Sequence, residues 1–114
     1  MSTQPGQYNI PSVQRRADFD LGLQFLDSTG APINLTGWTV YAQVWDRKRT
    51  VKYADFNVTY IDRAQGSTSI ALTDVQTATL PDEVYYDVLL QNPAGLRNYY
   101  LEGIAYVSEG YTEP

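Results

Sequence analysis

The sequence predicts an all-β fold, an antiparallel two-sheet sandwich of about seven strands with one short helix between the fifth and the sixth. Three observations lead there. Apolar and polar residues alternate with period two through segment after segment, clusters of Gly, Pro, Asn, Asp and Ser separate the segments, and one short stretch alone breaks the rhythm. At 114 residues the chain is one domain of common size, with a single core.

Residues 1–14 read as an N-terminal arm, with a possible edge strand over Tyr8–Ile10 and Val13 that Pro11 interrupts. The sandwich spans 15–108. Its first strand is DFDLGLQFLD, where Phe19, Leu21, Leu23 and Phe25 share one face and Asp20, Gly22 and Gln24 the other. A turn follows at Asp27–Gly30, then a loop whose Ile33 and Leu35 plug one end of the core. In the strand Trp38 to Trp45, Trp38, Val40, Ala42 and Val44 point inward, leaving Thr39, Tyr41, Gln43 and Trp45 outward. The connection DRKRTVK holds four of the eight basic residues; such a cluster is ordinarily a solvated loop, and its rival reading is a docking contact for an acidic surface.

FNVTYI and STSIAL form the next antiparallel pair. Thr73 with Gln76 three residues later is a capping-box signature for one or two helical turns ending before Pro81. The longest hairpin closes the chain: Val84–Gln91 and Leu96–Val107 around the turn Asn92-Pro93-Ala94-Gly95. Its first strand turns Val84, Tyr86, Val88 and Leu90 one way and Tyr85, Asp87, Leu89 and Gln91 the other. In its second strand Tyr99, Leu101, Gly103, Ala105 and Val107 are expected inward, with Asn98, Tyr100, Glu102, Ile104 and Tyr106 outward. Residues 109–114 form a flexible tail.

Composition excludes more chemistry than it offers. With neither histidine nor cysteine, the chain lacks the commonest general base, the commonest metal ligands and any disulfide. A net charge of −5 argues against nucleic acid. The carboxylate pairs Asp18/Asp20 and Asp82/Glu83 sit on a polar strand face and in a turn, positions that favour solvation over glycoside hydrolysis or calcium binding. No catalytic, cofactor-binding or metal-binding residue is therefore assigned, and the protein is not expected to be an enzyme. No apolar run reaches membrane-spanning length, and MSTQPGQYN lacks the regions of a signal peptide. Ten tyrosines among few charged residues suit a surface built for protein contact.

The phrases DSTGAPINLTGWTV (27–40), LTDVQTATLP (72–81) and YYDVLL (85–90), with Gly103 two residues after a leucine, resemble small Ig-like domains of tailed bacteriophages. These occur at the N-terminus of upper baseplate proteins and as short stand-alone virion proteins. The resemblance covers roughly residues 18–108 and rests on the order and spacing of the phrases. It implies an Ig-like sandwich and a structural role in the virion, in tail or baseplate, made in the host cytoplasm and held by other virion proteins and copies of itself. Longer members continue into a fibre or receptor-binding region, so a chain ending at Pro114 is expected to serve as an adaptor rather than a host-touching tip. The expected docking surface is the outer face of the sheet carrying Tyr41, Trp45, Tyr85, Leu89, Tyr100, Ile104 and Tyr106. Two alternatives stand beside it. One is a head-decoration (cement) protein of the capsid. The other is a carbohydrate-binding or host-adhesion module, in which Gln43, Asp87 and Asn98 would accompany the rings on a host glycan.

Overall fold

A computed structural model describes residues 6–111. Two sheets face each other. The larger has the order β1 (Gly6–Gln7), β9 (Arg97–Ser108), β8 (Glu83–Gln91), β4 (Thr39–Trp45), β5 (Lys52–Asp55), with β2 (Ile10–Gln14) also paired to β9. The smaller runs β3 (Phe19–Gln24), β7 (Ser67–Leu72), β6 (Asn57–Asp62). Named by Ig letters, the smaller sheet is B–E–D and the larger G–F–C with a further strand beside C, so the sandwich is Ig-like by strand order.

The alternation in the sequence becomes the core. Val40, Ala42 and Val44 from β4 and Val84, Tyr86, Val88 and Leu90 from β8 are buried against Ile70 and Leu72 of β7 and the fully buried Phe25. Leu35 is also fully buried and Ile33 packs on the core from the 31–37 loop. Arg63 ties that end together: its guanidinium donates to the carbonyls of Leu35 and Trp38 and lies 3.6 Å over the Tyr60 ring.

Helix α1 (Asp74–Ala78) carries the chain between the sheets, from β7 to β8. Its capping box is complete, since Thr73 Oγ1 accepts from the Gln76 N–H and Gln76 Oε1 from the Thr73 N–H. Asp18 Oδ1 accepts from the Asp74 N–H, and Thr77, fully buried, donates to the Ala17 carbonyl. The carboxylate of Asp18 therefore belongs to a helix end, and Asp82 to an ion pair with Arg15.

Three features depart from the sequence reading. The possible edge strand of the N-terminal arm is present but longer and placed differently: residues 6–14 pair parallel to β9, Gly6 opposite Leu101 and Gln14 opposite Ser108, and Pro11 lies inside β2 rather than interrupting it. Lys52–Asp55 is an additional strand that the basic connection concealed, because a short edge strand needs few apolar residues. The tail expected to be loose from residue 109 is held by ion pairs of Glu109 with Arg15 and Arg16, and the Arg16 guanidinium donates to the Gly110 carbonyl. Residues 1–5 of the expected arm and 112–114 of the expected tail lie outside the described residues.

Gly103 fixes the parallel strand in place. It lies at the crossing of β9 with the Tyr8–Asn9 link between β1 and β2, where a β-carbon would come 1.9 Å from the Tyr8 carbonyl oxygen. The same carbonyl accepts from the Tyr86 hydroxyl, and Asn9 Oδ1 accepts from the Ile104 N–H. Burial and the nearby Tyr8 push the Tyr86 hydroxyl pKa up to about 12, so it stays a donor.

Candidate functional site

The outer face of the larger sheet forms an open hollow of about 710 Å³. Strand register orders its floor into three rows. Tyr41, Leu89 and Tyr99 lie side by side across β4, β8 and β9; next come Gln43, Asp87 and Glu102; then Trp45, Tyr85 and Ile104. The middle row continues to Gln7 on β1. A polar row thus runs between two rows dominated by rings.

Of the seven predicted contact residues, Tyr41, Trp45, Tyr85, Leu89 and Ile104 line the hollow. Tyr106 shares the sheet face one row further, opposite Glu83, and is 42% exposed. Tyr100 does not belong to the face. Its ring packs edge-on against Phe25 at 4.7 Å, and its hydroxyl accepts from the Leu26 N–H at 3.0 Å.

The reason is a β-bulge. Between the pairs Glu83↔Tyr106 and Gln91↔Arg97, nine residues of β8 (83–91) face ten of β9 (97–106), and the register slips between Val88↔Leu101 and Leu89↔Tyr99. The extra residue turns Tyr100 to the same side as Leu101 and brings Tyr99 outward, 51% exposed, into the position expected for Tyr100. Asn98, considered as a polar partner for a sugar, pairs with the buried Leu90 and does not line the hollow, whereas Gln43 and Asp87 do.

The rim is basic. Asp46 accepts from the Thr50 and Val51 N–H groups and thereby shapes the β4–β5 turn; the Thr50 hydroxyl above all, then these backbone bonds, hold its carboxyl below the usual range. That turn sets the Arg49 guanidinium 4.7 Å over the Trp45 ring, while Trp45 Nε1 donates to Gln43 Oε1. Arg47 stands beside it, and on the opposite side Arg97 donates to Gln91. The basic connection seen in the sequence is one wall of the hollow.

The floor is acidic. Asp87 and Glu102 face each other across β8 and β9, and among the described residues neither side chain makes a hydrogen bond or ion pair. Half-burial, then repulsion by Glu102, raise the Asp87 pKa against a weaker pull from Arg49. Among the described residues no group of three or more His, Cys, Asp or Glu is placed to hold a metal ion, and no helix is long and apolar enough to cross a membrane.

The outer face of the smaller sheet is different in kind. There Gly22, Ser69 and Thr59 lie in one row, with Asp20, Ala71 and Asn57 in the next. Among its described residues that face carries no ring, and the apolar side chain it exposes is Ile61 of β6, 64% exposed.

No protein-family model matches the chain, and no curated protein matches it. Among solved structures, the M1 domain from titin is similar over 96% of this chain and 95% of that one, at 13% identity and a TM-score of 0.43.

Proposed function

We infer that this protein is a non-enzymatic assembly module of a tailed-phage virion, docking in tail or baseplate through the outer face of its larger sheet. The observation that carries the docking part is the asymmetry of the two sheets. Rings gather in one recess on the larger sheet, whereas the outward residues of the smaller sheet are mostly small or polar, with Ile61 the exposed large apolar one. The phage setting rests on the order and spacing of the phrases at 27–40, 72–81 and 85–90. Partners are other virion proteins and further copies of this chain.

The test is incorporation into particles. The wild-type chain should co-purify with particles of the phage that encodes it, and immunolabelling should place it on tail or baseplate. Tyr41→Ser/Tyr99→Ser, confirmed as folded, should remain outside the particles. Incorporation of that variant at the wild-type level removes the aromatic face from the reading. Absence of the wild type from particles removes the virion role, and label on the head favours the decoration alternative.

A further inference from the structure

The Asp87–Glu102 pair is the least expected feature of the hollow. Like charges directly opposite on neighbouring strands destabilise a sheet, and here both are also part-buried. Among the described residues no cationic side chain forms an ion pair with either carboxylate: Arg49, which pulls weakly on Asp87 from a distance, is stacked on Trp45, and Arg97 is bonded to Gln91. The pair is flanked by Tyr41 and Tyr99 on one side and by Trp45 and Tyr85 on the other.

Two carboxylates between aromatic rows match one kind of group closely. A guanidinium is flat, stacks on rings, and presents several N–H donors that two carboxylates can share. A hard divalent ion, by contrast, asks for six or more oxygen ligands and gains nothing from rings. The rim adds a second requirement. Arg47, Arg49 and Arg97 repel a polybasic ligand, so the cation must arrive alone, with neutral or acidic residues beside it. The hollow's volume lies in the range that takes a side chain with parts of its neighbours.

We propose that the hollow receives a single arginine side chain from a partner protein, its guanidinium seated between Asp87 and Glu102 and its acidic or neutral flanks meeting the rim arginines. This rests on the docking reading above and specifies the partner's chemistry at that surface. The arginine is the anchor of the interface, and the rings exclude water around it.

The probe is the peptide acetyl-Glu-Gly-Arg-Gly-Glu-amide, with an otherwise identical peptide carrying neutral citrulline in place of arginine. Binding is read by nitrogen-15 NMR at the Trp45 indole and at the amides of Gln43, Asp87 and Glu102. Saturable shifts should cluster there, and the citrulline peptide should bind about tenfold more weakly or worse. Asp87→Asn/Glu102→Gln, its core amides unshifted, should lose the difference between the two peptides.

The proposal fails if no site shifts appear at up to about 10 mM arginine peptide, or if citrulline binds equally well. It also fails if the double variant still prefers arginine, or if chitotriose binds the same residues more tightly than the peptide. Particle incorporation is a separate readout. Incorporation that depends on Tyr41 and Tyr99, with no preference for arginine, would retain the docking surface and discard its anchor.

Discussion

The carbonyl oxygen of Tyr8 occupies the space that a side chain on Gly103 would need. The two nearest atoms, the Tyr8 carbonyl oxygen and carbon, are backbone, so rotating a side chain such as Asn9, whose Oδ1 lies 3.1 Å away, does not relieve the contact. Gly103→Ala should force the link between β1 and β2 off β9, break the Tyr86–Tyr8 hydrogen bond, and destabilise the protein by about 2–3 kcal/mol. Urea denaturation measures the loss, and faster proteolysis within residues 6–14 would place it. An unchanged midpoint with an intact arm would contradict the packing described.

The two tyrosines at the bulge should behave as opposites. Tyr100→Ser removes a ring packed on Phe25 and should cost about 2–4 kcal/mol, and Tyr100→Phe about 1 kcal/mol through the lost bond to Leu26. Tyr99→Ser, on the open face, should stay within about 0.5 kcal/mol of wild type. Thermal melts of the three variants decide it; equal losses at 99 and 100 would mean that the register slip is absent.

Asp87 makes stability depend on pH in a defined direction. Its ordinary pKa is 3.8, and in the fold it is raised by burial and by Glu102. Between those two values the folded state binds more protons than the unfolded, so the stability this group contributes is lost as pH rises through the interval. Wild type and Asp87→Asn should therefore be equally stable below pH 3.8. The variant should be the more stable at pH 7, by a few tenths of a kcal/mol because the side chain is half exposed. Denaturation curves across this range would show the opposite trend if a cation within the chain neutralised the pair.

Thr77 tests how the helix is tied to the sheets. Its hydroxyl donates to the Ala17 carbonyl and accepts from the Ala17 N–H, and the side chain is fully buried. Thr77→Val keeps the volume and removes both bonds, so a loss of about 1–2 kcal/mol is expected. Thr77→Ser, which keeps the hydroxyl, should recover part of it. A stable Val variant beside a destabilised Ser variant would assign the effect to packing alone.

The sandwich was legible because alternation and turn chemistry are local signals. The inward set from Val40 to Val44 and from Val84 to Leu90, the capping box at Thr73 and Gln76, and the plugging role of Leu35 all follow from a few neighbouring residues. What the sequence hid is set by pairs far apart in the chain. Tyr99 and Tyr100 are the same residue type, so nothing at that point reveals which one turns inward; the answer lies in how many residues of β8 they face. Asp87 and Glu102 each look like the polar half of an alternating strand, and only their register makes them a pair. The parallel course of residues 6–14 is equally invisible, because Pro11 and the polar neighbours read as an arm. Their partner lies some ninety residues away.

That parallel course has a mechanical consequence. Gly6 and Ser108 mark opposite ends of the same sheet edge, so tension applied between them pulls β2 and β9 past each other along their length. The hydrogen bonds joining the strands are then loaded together, not one after another as in a hairpin peeled from its end. The ion pairs of Arg15 with Asp82 and Glu109 lie at the end where that tension leaves the fold. A domain so connected passes force along its edge strands while the aromatic face, on a different surface of the sheet, keeps its shape.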